Sequence, residues 1–94
     1  MLTKQTGASK VLLATVTTQT VTVSNTDGSS VRKVRIATQT NPVVVAFNTA
    51  TNLVTAGILV PSNTAEHFTL DDSTKVIIAR GGSADAVVSI TPVA

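Results

Sequence analysis

β-Branched side chains crowd this chain: 17 Thr and 15 Val stand among its 94 residues, and Trp and Tyr are absent. Two heavy atoms on Cβ stiffen χ1, crowd the preceding turn of a helix and pack well on a pleated surface. Strands are therefore expected nearly throughout, and no stretch carries a helical period of apolar residues. Turn residues recur about every 8 to 12 positions, the spacing of a small antiparallel sandwich or barrel.

Residues 1–10, polar and carrying Gly7, Ala8 and Ser9, read as a flexible N-terminal arm, and residues 11–94 as a single β-domain. Val11 to Ala14 is a continuous apolar run, as in a strand covered on both faces. From Thr15 to Ser24 the pattern alternates, with Val21 and Val23 on one face and Thr20, Thr22 and Ser24 on the other. The Asp27-Gly28 step then signals a hairpin, with a return strand from Val31 to Thr38. Pro42 fixes φ at the entry to Val43 to Phe47, which reads as the best core strand. Leu53 to Val60, Glu66 to Leu70, Lys75 to Arg80 and Ala86 to Thr91 complete the set. Asp71-Asp72-Ser73 turns the chain between two of them, and Gly81-Gly82 reads as a second hairpin turn. The fold class is all-β, a small antiparallel β-sandwich or jelly-roll-like barrel of about eight short strands.

No Cys and one His leave neither a disulfide framework nor a Cys/His zinc site, and no cofactor is expected. In a domain this small, apolar burial and chain ordering nearly cancel, so other subunits are the expected source of stability. A homo-oligomer follows. Seven Lys/Arg against five Asp/Glu give a net charge of +2 without a basic cluster, so nucleic acid is not an expected partner. No apolar run reaches the length of a membrane span, and the opening residues lack a secretion signal. Synthesis in the cytoplasm and no membrane partner are expected.

Each candidate for chemistry has a plainer explanation. His67 with Asp71, Asp72 and nearby serines suggests a triad, but no nucleophile-elbow motif is present. Asp71 and Asp72, as strand neighbours, would face opposite ways, and their place before Ser73 suits capping of a turn. Gly81-Gly82 lacks the surroundings of a phosphate loop. Thr15, Thr17, Thr18, Thr20 and Thr22 invite comparison with an ice-binding array, but the register breaks at Thr17-Thr18. No catalytic, metal or small-molecule site is expected, and the chain reads as a non-enzyme. The densest charge is Arg32, Lys33 and Arg35, with Arg32 alternating away from the other two. Without aromatics beyond Phe47 and Phe68 these are solvated strand charges that deter edge pairing, or contacts to a protein partner. The candidate partner interface is Lys4, Lys10, Arg32, Lys33 and Arg35.

Val31-Arg32-Lys33-Val34-Arg35-Ile36-Ala37-Thr38, Pro42 to Phe47, Leu59-Val60-Pro61 leading to Glu66-His67-Phe68, and Lys75 to Ala79 together resemble small virion-associated β-proteins of tailed bacteriophages. They are most similar to capsid decoration (cement) proteins, over roughly residues 31 to 94. The resemblance implies a β-sandwich or jelly-roll-like protein on the capsid surface of the virion, often a homotrimer. It would bind the major capsid protein and stabilise the shell by bridging its subunits. A tail-associated or receptor-binding β-domain is the alternative, ranked lower because sugar sites usually stack on the Trp or Tyr that this chain lacks.

Overall fold

The computed structural model describes residues 4–47, 57–70 and 75–94. Among them are eight strands and no helix: β1 (Lys10–Ala14), β2 (Gln19–Thr22), β3 (Lys33–Gln39), β4 (Val43–Phe47), β5 (Ile58–Val60), β6 (Ala65–Thr69), β7 (Lys75–Arg80) and β8 (Ala86–Val93). They form two four-stranded antiparallel sheets, ordered β1-β8-β3-β6 and β2-β7-β4-β5. The all-β sandwich expected from the β-branched composition is what the chain forms. Within the sheets β1 pairs with β8, β2 with β7, β3 with β6 and β4 with β5. The chain is thus one long antiparallel ribbon, β1 to β4 running against β8 to β5, rolled so that successive pairs alternate between sheets. That order defines a jelly roll.

Alternation along the strands builds the core between the two sheets. Val34, Ile36, Val88 and Ile90 from one sheet meet Val43, Val45, Val76 and Ile78 from the other, all fully buried. Thr38 is the polar member of the β3 inward row, and its hydroxyl is satisfied by donating to the Pro61 carbonyl at 2.6 Å. Phe47 and Phe68, on β4 and β6, pack with ring centroids 5.4 Å apart at a 52° tilt, a geometry that aromatic quadrupoles favour. The inward Val21 and outward Thr20 and Thr22 of β2 follow the alternation expected of them.

Three sequence expectations are corrected. Asp27-Gly28 does make a tight turn: Gly28 takes φ 81°, its N–H donates to Asn25 at 3.1 Å, and Asp27 accepts from Ser29. Yet β2 and β3 lie in different sheets, so this connection crosses the sandwich and is not a hairpin. Gly81-Gly82 likewise links β7 in one sheet to β8 in the other; Gly81 donates to Pro42 at 2.9 Å and an Arg80–Asp85 ion pair at 3.3 Å brackets the turn. Local turn chemistry is the same for a hairpin and a crossover, and the distant pairing partner decides between them. The third correction is β1. Its apolar run is an edge strand, with Val11 68% and Leu13 49% exposed. The expected Asp71-Asp72-Ser73 turn, and the beginning of the expected strand at Leu53, lie outside the described residues.

Of the segment expected to be an arm, residues 1–3 are not described, and residues 4–9 are bonded to the domain. Gln5 bridges to Val93, Thr6 donates to Pro92 at 2.9 Å, Ala94 donates to Lys4 at 2.8 Å and Thr26 donates to Thr6 at 2.9 Å. Lys10 pairs with Ile90 and Gln5 with Val93, so five steps of this segment match three of β8. The two surplus residues form a bulge around Gly7. Gly7 is buried there, and a Cβ on it would lie 2.1 Å from the Ser24 carbonyl oxygen.

Asn25 fastens this segment to the crossover loop. Its side chain accepts from the Thr6 hydroxyl and donates to the Ser30 carbonyl at 3.0 Å and the Ser29 hydroxyl at 3.1 Å. Asn25→Ala is expected to lower stability by about 1–2 kcal/mol, the loss of a few partly exposed hydrogen bonds. Urea denaturation at constant m-value measures it, and an unchanged midpoint would show that water replaces these bonds without cost.

Candidate functional site

The outward face of the β1-β8-β3-β6 sheet is the surface that the fold leaves for a partner. Register fixes its rows. Lys33 stands between Val93 and Thr69, and Arg35 between Thr91 and His67. Ala37 stands between Ser89 and Ala65, with Val11 beyond Ser89; Gln39 and Leu13 flank Val87. One end of the face is therefore cationic, with Lys33 and Arg35, and His67 lies beside Arg35. The other is apolar, with Val11, Leu13 and Val87, the last 42% exposed. The carboxylate on the described strands of this sheet, Glu66, takes the inward register position opposite Ile36.

The five basic residues expected at a partner interface separate accordingly. Lys33 and Arg35 come together, two positions apart on one side of β3. Arg32 is exposed just before β3 and on the other side of the alternation, its carbonyl accepting from Leu70 at 2.7 Å. Lys10 shares the register row of Ile90 and Ile36, the inward set, and sits exposed at the sheet edge. Lys4 lies beside Ala94, one step beyond the Lys33 end of the face. The apolar half of the surface was not anticipated, because Val11 to Ala14 had the composition of a strand covered on both faces. Only knowledge that β1 is an edge reveals it.

His67 faces Arg35 across the β3·β6 pair. Asp71 and Asp72, its expected companions, lie outside the described residues. An open cleft of about 670 Å³ is lined by Lys4, Gly7, Ala8, Thr26 and Asp27 among others. Its one carboxylate, Asp27, is held below the usual carboxylate range by the Ser29 hydroxyl first and the Ser29 N–H second, at 2.6 and 2.9 Å. Hydrogen bonds to the ionised form are committed to the turn, which makes Asp27 a cap and a poor proton carrier. No group of three His, Asp or Glu side chains able to hold a metal occurs among the described residues.

No protein-family model and no curated protein matches the chain. Among solved structures it is similar to one from Bacillus endospore appendages, described as a novel family of disulfide-linked pili. The identity is 16% and the TM-score 0.44, over 99% of this chain and 91% of that one. At that score the likeness assigns neither fold nor function.

Proposed function

We propose that the chain is a non-enzymatic structural module that docks on an assembled protein lattice, as a capsid decoration protein does. The outward face of the β1-β8-β3-β6 sheet would turn toward the lattice. One observation carries the reading: the sheet face that exposes Val11, Leu13 and Val87 at one end presents Lys33 and Arg35 at the other, and the carboxylate on its described strands, Glu66, takes the inward register position opposite Ile36. Contiguous exposed apolar side chains mark interaction surfaces, and the sign of the charge beside them sets the sign of a complementary partner. The partner surface is then acidic with an apolar patch. The resemblance of residues 31 to 94 to virion-associated β-proteins supports the major capsid protein as that partner, with the chain on the capsid surface.

Co-sedimentation with undecorated heads tests this. The wild-type chain should saturate the heads and dissociate as salt is raised, because rim charges are screened. The double reversal Lys33→Glu/Arg35→Glu should weaken binding by about a hundredfold, two charge contacts each worth roughly 1–2 kcal/mol after reversal. Its far-ultraviolet circular dichroism should stay unchanged. Failure of the wild-type chain to sediment with heads would overturn the reading.

A further inference from the structure

Among the described residues the two sheets have four edge strands, β1, β6, β2 and β5. Natural proteins blunt such edges with charge, brevity or proline, because an unpaired row of N–H and C=O groups is a template for another strand. β6 carries Glu66 and His67, β5 has three residues and runs into Pro61, and β2 is Gln-Thr-Val-Thr. β1 is different. Its sequence Lys-Val-Leu-Leu-Ala has one charge, at its first residue, and no proline. The residue choice suits a strand with neighbours on both sides, yet among the described strands it pairs with β8 alone.

We infer that β1 is a strand-addition site for β1 of a second copy of this chain, paired antiparallel about Leu12. One continuous eight-stranded sheet would then run through both copies. Pairing about Leu12 sets Val11 opposite the partner's Leu13, Leu13 opposite the partner's Val11, and Lys10 opposite the partner's Ala14. Apolar side chains meet apolar ones, and the two Lys10 ammonium groups never face each other. The strand is complementary to itself in both charge and hydropathy, which an isologous two-fold contact requires.

The backbone is set for the same register. Gln19 Nε2 donates to the Leu13 carbonyl at 2.8 Å, so that carbonyl points away from β8. By ladder alternation the N–H and C=O groups of Leu13 and Val11 both face the open side. In the paired form Val11 and the partner's Leu13 exchange both bonds, twice by symmetry. The amide of Gln19, itself on the neighbouring edge strand β2, holds one of those acceptors in the single chain and gives way to the partner's Val11 N–H. Beside this edge an open cleft of about 520 Å³ runs between β1 and β2, with half-buried Leu12 and Val21 in its wall, and pairing brings the partner's Leu12 against Leu12. Outward side chains keep facing outward, so the docking face is doubled. The symmetry is two-fold, in place of the threefold symmetry that the resemblance implies.

Sedimentation velocity of the purified full chain, from about 1 µM to about 1 mM to cover a small interface, tests the pairing without heads. Its outcome is therefore separate from that of the docking assay. The expected result is a concentration-dependent shift from the 9.6 kDa monomer to twice that mass. Val11→Lys or Leu13→Lys, at exposed positions, should shift the midpoint by about tenfold or more, whereas Leu59→Lys on the β5 edge should leave it in place. Hydrogen exchange should show the Val11 and Leu13 amides gaining protection as concentration rises, a change that a non-specific apolar contact would not confine to alternate residues. A monomer throughout, a trimer, an equal effect of Leu59→Lys, or unchanged exchange at Val11 and Leu13 would each overturn the inference.

Discussion

Gly7→Ala is expected to lower stability by about 2–3 kcal/mol, the loss of roughly three backbone hydrogen bonds less the smaller unfolded-state entropy of alanine. The added Cβ would stand 2.1 Å from the Ser24 carbonyl oxygen and 2.9 Å from Pro92 Cγ. The first of these neighbours is backbone and has little room to yield. Relief comes by lifting residues 4–9 away from β8, which breaks the bonds of Thr6 to Pro92, Ala94 to Lys4 and Thr26 to Thr6. Hydrogen exchange separates this mechanism from a general weakening. The amides of Thr6, Thr26 and Ala94 should lose protection in the variant, while those in the β4·β7 pair keep theirs relative to the global stability. An unchanged urea midpoint would show that the segment is held without close contact at Gly7.

Ile90→Ala is expected to cost more, about 3–4 kcal/mol, since a buried isoleucine leaves both lost transfer energy and a cavity. Ile90 is fully buried at the middle of β8, with Lys10 of β1 and Ile36 of β3 in its register row. Its neighbours belong to paired strands on both sides and have little freedom to collapse inward. In a domain of this size such a loss should lower Tm by about 15 °C or more. Ile58→Ala, at a 45% exposed position on the β5 edge, should cost less than about 1 kcal/mol and serves as the internal comparison. Thermal unfolding by circular dichroism measures both, and equal costs would mean that burial in this sandwich does not set the penalty.

These two positions also mark what the sequence made legible. Ile90 lies in a strand recognised from its own residues, because alternation is a local property and Val88, Ile90 and their neighbours display it. The strands from Lys75 and from Val43 were legible for another local reason, continuous apolar runs set between turn residues. Parity along the strand likewise separates Arg32 from Lys33 and Arg35. Gly7 is the opposite case: nothing adjacent to it foretells Ser24, which approaches only because the β2–β3 crossover passes over the bulge. The same limit turned Asp27-Gly28 and Gly81-Gly82 into expected hairpins. Both turns form, but which strand follows next to which is settled by pairings such as Lys10 with Ile90 that local chemistry does not encode. The exposed apolar half of the candidate surface depended on the same unknown, since Val11 and Leu13 become surface residues only once β1 is an edge.

The rolled ribbon has a kinetic consequence. Its pairs nest, with β4·β5 innermost in sequence and β1·β8 outermost, so loop-closure entropy is smallest at the fold of the ribbon and largest where its ends meet. Assembly should therefore proceed from the middle of the chain outward, each closed pair shortening the loop that the next must close. Of the eight strands, β1 leaves the ribosome first and waits longest, without a strand neighbour until β8 has been made. Refolding should accordingly be slow for a chain of this length and should slow further when β4·β5 is weakened, whereas weakening β1·β8 should act mainly on the unfolding rate.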